Sequence, residues 1–139
     1  MTDNSPLPVG AFTFVLHGAG GDLAKRKIIP ALAHLAKSGY FSNDSRIIFA
    51  QREALTPTEA LAQVDAFLKS AGDEAARESI PALLPYLHTL QVVLGTPESC
   101  RAMANAVAGS PEPVVHYAAL PSSRFIDLIN CIPTVRDPE

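Results

Sequence analysis

Hydrophobic residues are gathered into four short runs separated by longer stretches of mixed polarity. The runs are 11–16 (AFTFVL), 46–50 (RIIFA), 90–94 (LQVVL) and 113–118 (PVVHYA). Nearly continuous apolar runs of this length are typical of strands that are buried on both faces of a parallel sheet. We therefore predict four strands over these ranges.

The stretch that follows the first run has helical spacing. Over 23–37 the apolar positions Ile28 and Leu32 fall on one face, and Gly39 is placed to end the helix. Pro30 lacks the amide N–H that a helix interior needs, so we predict an irregular first turn and a regular helix that begins near the proline.

The second run is followed by a strong signal for a helix start. Thr56 can cap the helix, Pro57 suits its first position, and Glu59 can complete a capping box. Helical spacing then continues to Ala71. The segment 73–88 is helix-prone but interrupted by prolines, and the pattern does not define its structure.

Two more helices are predicted in the second half. One begins at Thr96 and places three apolar residues on its inner face: Cys100, Met103 and Val107. The other follows the last strand, with Ser122 or Ser123 as its cap. It carries four apolar residues: Phe125, Leu128, Ile129 and Ile132.

Alternation of strands and helices indicates parallel βαβ units, so the predicted fold class is α/β, a Rossmann-like doubly wound sheet. We expect one dinucleotide-binding domain over 1–139. A complete dinucleotide fold uses about six strands, whereas about four are predicted, and 133–139 (PTVRDPE) has the composition of a connection. The expectation is therefore an incomplete sheet, with no substrate or dimerisation domain in the chain.

Composition limits the classes of function. The chain has 139 residues, 47% hydrophobic and 18% charged, with a net charge of −3. This mildly acidic balance without a basic stripe argues against nucleic-acid binding. The sequence has neither an apolar run long enough to span a bilayer nor the pattern of a signal peptide, so we expect a cytoplasmic protein without membrane contact. Accordingly, Cys100 and Cys131 are predicted to be reduced core thiols.

Between the first strand and the first helix lies a glycine-rich turn, 17–24 (HGAGGDLA). Backbone N–H groups in such a turn can bind a pyrophosphate with the help of the helix dipole. The match to GxGxxG is partial, because Leu23 occupies the third position. Asp22 is predicted to accept N–H bonds at the helix start. The basic cluster 25–27 is either a solvated face or contributes a cation to the phosphates.

The end of the second strand discriminates between cofactors. Arg52 is placed to bind a 2′-phosphate, as in NADP sites, whereas the neighbouring Glu53 would suit the ribose of NAD. We favour NADP over NAD. No residues show metal spacing, and His17 and His116, near strand ends, are interpreted as packed or hydrogen-bonded structural histidines rather than as catalytic bases.

Three ordered segments resemble glucose-6-phosphate dehydrogenases. The first is 14–32, in which an apolar strand leads into GDLA, three basic residues and a proline; 46–56 is similar to the family's second strand and its arginine. The third, 117–122 (YAALPS), is similar to its Y-L-A-L-P-P stretch. Gly20, His17 and Ser122 depart from the residues usual at their positions.

The resemblance implies an NADP site with Arg52 at the 2′-phosphate and 119–121 beside the nicotinamide. The residues implied as cofactor contacts are Gly18, Ala19, Gly20, Gly21, Asp22, Leu23, Arg52, Ala119, Leu120, Pro121 and Phe125. No catalytic residue is assigned, because the family's E-K-P-F/L-G and R-I-D-H-Y-L-G-K segments, which supply the base and the sugar-phosphate lysines, do not occur in this sequence.

Three hypotheses of function follow. The first is the NADP-binding domain of an oxidoreductase of the pentose phosphate pathway, which oxidises glucose 6-phosphate to 6-phosphogluconolactone. In that case the sugar phosphate would bind only to a full-length protein, and the chain alone would be inactive. The second is a non-catalytic NAD(P)-binding or assembly module from a truncated or split gene. The third is an unrelated NAD(P)-binding domain. In each of the first two, the open sheet edge is expected to self-associate or to bind a partner.

Overall fold

The computed structural model describes residues 10–132, in which four parallel strands form one sheet. The strands are β1 (Thr13–His17), β2 (Arg46–Gln51), β3 (Leu87–Gln91) and β4 (Val114–Ala118). Their order across the sheet is β3-β2-β1-β4. The chain places β2 and β3 on one side of β1 and then returns to place β4 on the other side, as in a doubly wound dinucleotide fold. The predicted α/β class is confirmed, and β4 lies at a sheet edge.

The register brings the carboxyl ends of the strands together. His17, the last residue of β1, pairs with Ala50 on β2 and with Ala118 on β4. Gln51 on β2 pairs with Gln91 on β3. The loops that follow the strands therefore meet at one edge, which we call the carboxyl edge, and in open α/β sheets ligands bind there.

Three helices cover one side of the sheet, which we call the first face: α1 (Ile29–Lys37), α2 (Pro57–Ala71) and α3 (Glu74–Ser79). A π-helical turn, Ala24–Ile28, precedes α1. The irregular start expected from Pro30 is thus confirmed.

The start and the interior of α2 follow from its sequence. Both hydrogen bonds of the predicted capping box are present, from the Glu59 N–H to the Thr56 side chain and from the Thr56 N–H to the Glu59 carboxylate. Leu68 and Val64 bury their side chains in the core of the first face.

The second face carries α4 (Pro97–Val107) and α5 (Phe125–Cys131). Met103 of α4 and Leu128 of α5 pack against Val15 and Ile48 of the sheet. One prediction here is wrong. Cys100 of α4 and Cys131 of α5 are joined in a disulfide, with Cα atoms 4.9 Å apart, because both side chains reach the core of the second face. Sequence spacing did not reveal this contact.

Other differences concern boundaries. The third strand runs over Leu87–Gln91 rather than 90–94, and Val92 and Leu94 after it pack against the second-face core. The undefined segment 73–88 forms α3, a 3-10 helix, Ile80–Tyr86, and the first two residues of β3. Neither Ser122 nor Ser123 caps the last helix; both lie in a 3-10 turn, Ser122–Arg124, that leads into α5.

The predicted connection at 133–139 and the polar beginning of the chain lie outside the described residues. Between residues 10 and 132 no helix has the length and apolar character needed to cross a membrane.

Candidate functional site

A cleft of about 440 Å³ opens at the carboxyl edge, a size typical of small-molecule sites. Its walls come from all four strand ends: the glycine turn after β1, the loops after β2 and β3, and the turn after β4. The residues that line it are His17, Gly18, Gly20, Gly21, Lys25, Ala50, Gln51, Arg52, Glu53, Gln63, Val92, Leu94 and Arg124.

The glycine turn is fixed at its beginning. Gly18 has φ +79°, and a Cβ atom there would collide with the carbonyl oxygen of Ala119 and the side chain of Leu120. The Gly18 N–H donates to the Ala50 carbonyl at 3.0 Å, and the Gly21 N–H donates to the Gly18 carbonyl at 2.9 Å. Only glycine fits this close approach of the two loops. The loop 119–120 thus packs against the glycine turn, while its predicted place beside the nicotinamide stays a prediction.

The rest of the turn faces the cleft. Gly20 and Gly21 are exposed along its wall, and the Gly20 N–H has no hydrogen-bond partner within residues 10–132. An unpaired N–H before a helix start is suited to an anion. Ala19 is 2% exposed and packs into the core, so its side chain supports the turn from behind.

The acidic residue of the motif does not act as predicted. The Asp22 carboxylate accepts from the Arg26 guanidinium at 3.1 and 3.2 Å, rather than from N–H groups of the helix start. This bond lowers the pKa of Asp22. Arg26 lies one helical turn after Asp22 and is charged, so its guanidinium competes with the backbone N–H groups for the Asp22 carboxylate. Asp22 and Leu23 are exposed outside the cleft wall, and Lys25 is the member of the basic cluster that lines it.

The loop after β2 presents one cation and one anion. Arg52 lines the cleft, and the Gln91 side chain donates to its carbonyl at 3.1 Å, which ties the loop to β3. The Arg52 guanidinium makes no ion pair within the described part of the chain. The Glu53 carboxylate instead accepts from the Gln63 side chain of α2 at 3.1 Å. The Arg52 side chain is thus the more available of the two.

Two histidines meet at the end of β1. His17 Nε2 lies 2.9 Å from His116 Nδ1, and the rings stack with their centroids 5.2 Å apart. Burial, aided by repulsion from His116, lowers the pKa of His17 to about 4. The interpretation of both as hydrogen-bonded histidines is confirmed. The described residues contain no group of three or more His, Cys, Asp or Glu placed to hold a metal.

The turn after β4 contributes a residue that sequence reasoning missed. Arg124 lines the cleft, donates to the Leu94 carbonyl at 3.2 Å and pairs with Asp127 at 3.4 Å. The predicted contacts Pro121 and Phe125 are exposed but do not line the cleft. Arg124 stands next to Phe125 and is the side chain of this turn that lines the cleft, while Phe125 stays a predicted cofactor contact. No sequence signal distinguishes the two, because the choice depends on where α5 begins.

The fold, the glycine turn and the cationic cleft together define a dinucleotide-binding domain. A family model described as "Glucose-6-phosphate dehydrogenase, NAD binding domain" matches residues 15–136. The chain belongs to this family, as the resemblance implied, and the hypothesis of an unrelated domain is wrong.

Individual relatives agree. The chain is 45% identical over 53 residues to glucose-6-phosphate 1-dehydrogenase of Rhizobium meliloti, which is 38% of this chain and 11% of that protein. It is 32% identical over 114 residues to the enzyme of this name from Helicobacter pylori, covering 82% of this chain and 26% of the relative. The chain thus spans at most about a quarter of these relatives.

Solved structures show the same fold. Glucose-6-phosphate 1-dehydrogenase from Mycobacterium avium superposes with a TM-score of 0.70 at 20% identity, covering 88% of this chain and 26% of that one. A glucose-6-phosphate dehydrogenase in complex with its substrate, glucose 6-phosphate, superposes with a TM-score of 0.67 at 25% identity, covering 94% and 28%. Because the matching family model is that of an NAD binding domain, a nicotinamide dinucleotide is the class of cofactor to which the domain is suited.

Proposed function

We propose that this chain is the cofactor domain of a glucose-6-phosphate dehydrogenase and that it binds NADP in the cleft at the carboxyl edge. The observation that carries the proposal is the meeting of Gly18, Gly20 and Gly21 with Arg52 around one cleft. The pyrophosphate would lie on the glycine turn, where the free Gly20 N–H and Lys25 favour an anion.

The choice of NADP over NAD rests on the loop after β2. Arg52 is free to make two charge-assisted bonds to a 2′-phosphate, whereas the Glu53 carboxylate, which an NAD ribose would need, is bonded to Gln63. Ala119, Leu120 and Pro121 would border the nicotinamide side. When bound, the nicotinamide supplies the hydride acceptor for a sugar hydroxyl carbon.

The test is a titration of the purified chain with NADP and with NAD. A charge-assisted contact is worth about 1.5–3 kcal/mol, so we expect a preference for NADP of roughly 10- to 100-fold. Arg52→Ala should erase most of it. Arg101→Ala, which removes an exposed arginine of α4 outside the cleft, should leave it unchanged. Equal affinities, or a preference that survives Arg52→Ala, would contradict the assignment.

We further propose that the 139-residue chain binds cofactor without oxidising glucose 6-phosphate, since its sequence lacks the segments that hold the base and the sugar-phosphate lysines in the resemblance. Loss of a general acid or base commonly costs about 10²–10⁴-fold in rate. NADPH formation above background, with host enzyme excluded, would overturn this. We also propose that the protein acts in the cytoplasm, in the pentose phosphate pathway.

A second candidate is a non-catalytic binding or assembly module. The outer edge of β4 favours it, because Val115 and Tyr117 there are 44% and 39% exposed. We propose that this edge pairs with a second copy of the chain when nothing else covers it.

A further inference from the structure

The two stacked histidines have no task in the proposed function. His17 is 2% exposed, ends β1 directly before Gly18 and lines the cleft, and His116 reaches it from β4. The short distance between His17 Nε2 and His116 Nδ1 requires one N–H between the rings. His17 therefore keeps one further nitrogen, Nδ1, that can bind a proton while the hydrogen bond to His116 persists.

The pair is neutral at neutral pH when the cleft holds no ligand. Burial lowers the pKa of His17 to about 4, and burial also lowers the pKa of His116. The charged side chains around the cleft, with the Asp127 partner of Arg124 included, still leave an excess of positive charge: Lys25, Arg52 and Arg124 against Glu53 and Asp127. A further cation is disfavoured among them until an anion enters.

We propose that the His17–His116 pair takes up one proton when the pyrophosphate of a dinucleotide occupies the glycine turn, and so makes cofactor binding depend on pH. This inference rests on the proposed function. The proton comes from solvent and binds to Nδ1 of His17, while the Nε2–H of the same ring donates to His116. The resulting imidazolium lies one residue from the turn and attracts the phosphates.

The sign of the effect follows from linkage. The bound anion raises the pKa of His17 above its value in the free protein, so affinity rises as pH falls through the bound-state pKa and levels off below the free-state value. If binding restores the pKa of His17 to its ordinary value of 6.5, NADP binds about tenfold more tightly at about pH 5.5 than at about pH 7.5.

The experiment is calorimetry of NADP binding across this pH range, repeated at fixed pH in two buffers of different ionisation enthalpy to count the protons taken up. The 2′-phosphate of NADP itself titrates near pH 6, so the informative quantity is the difference between native protein and variants. His17→Gln keeps an amide that can donate to His116 but cannot bind the proton. His116→Gln removes the partner ring at a less buried position.

His17→Gln is expected to bind NADP with the additional pH dependence and the proton uptake removed, whereas His116→Gln, which leaves Nδ1 of His17 in place, should keep the proton uptake. His88→Gln, a histidine of β3 outside the cleft, should behave as the native protein does. Urea unfolding checks that each variant is folded, and if His17→Gln is not, proton uptake by the native protein on binding NAD, which has no 2′-phosphate to titrate, decides. Equal proton uptake in native protein and His17→Gln would overturn the proton-uptake proposal alone. Failure of the native protein to bind NADP would overturn the proposed function, and this inference with it.

Discussion

The first face over β1–β3 and the β4–α5 end are both rich in apolar residues, but their burial differs. Leu68 and Val64 of α2 are 1% and 2% exposed, whereas Ile126 and Ile129 of α5 are 68% and 64% exposed. On the first face, three helices and a 3-10 segment enclose the core. At the β4–α5 end, β4 has a neighbour on one side and α5 is short.

The difference shows what apolar sequence does and does not specify. A periodic apolar pattern predicts that a helix has a face to bury, but the partner of that face depends on the topology. For α2 the partner is the sheet next to it in sequence. For Ile126 and Ile129 no partner is present within the described residues, and surface of this kind marks an interaction site.

Truncating one side chain in each region tests this difference in burial. Leu68→Ala should destabilise the domain by about 2–5 kcal/mol, because it leaves a cavity in the closed core. Ile129→Ala should change the free energy of unfolding by no more than about 0.5 kcal/mol, because the side chain is mostly in solvent. Urea denaturation of both variants measures this. Similar losses would mean that the α5 side chain is buried in solution.

Loss of the disulfide on the second face is expected to have the next largest effect on the free energy of unfolding. Cys100 and Cys131 are 31 residues apart in sequence, and a loop of that length contributes about 3–4 kcal/mol by the chain-entropy model. Reduction should lower the free energy of unfolding by that amount, and Cys100→Ser should make reductant ineffective. Thiol counting on unfolded native protein should find no free thiol without reductant. Two free thiols would restore the prediction of reduced cysteines.

A smaller difference in the free energy of unfolding is expected between a glycine substitution in the glycine turn and one in an open loop. Gly18→Ala should cost about 1–2 kcal/mol for the positive φ and about 1–3 kcal/mol more for the collision with the Ala119 carbonyl. Gly109 has φ +72° but open space around its Cβ position, so Gly109→Ala should incur the first cost alone. Unfolding of both variants gives the difference, and equal losses would indicate that the two loops separate in solution.

Much of the fold was predictable because its signals are local. The capping box at Thr56, the irregular turn before Pro30 and the four apolar runs each depend on residues near in sequence. The disulfide, the Arg124 side chain in the cleft and the His17–His116 contact depend on α4, α5 and β4 meeting other elements. The glycine turn was recognised, but the pairing of Asp22 with Arg26 was not, since either partner was possible at that spacing.

The smallest expected change in stability accompanies the clearest change in assembly. The outer backbone groups of β4 are unpaired among the described residues, and Val115 and Tyr117 stand exposed beside them. We expect isolated chains to associate through this edge, because open apolar edges pair with whatever strand is available. Val115→Lys should weaken association by placing like charges opposite each other, while unfolding shifts by no more than about 0.5 kcal/mol.

Light scattering after size exclusion, over a dilution series, measures the association, and Ala108→Lys, at an exposed position after α4, is the matched control for added charge. Native protein and this control should be larger than a monomer at high concentration and dissociate on dilution, whereas Val115→Lys should be monomeric at all concentrations. A native monomer that is insensitive to dilution and binds no hydrophobic dye would mean that the sheet is complete with four strands. The exposed residues of β4 and α5 would then be ordinary surface, and the expectation of an incomplete domain would have to be abandoned.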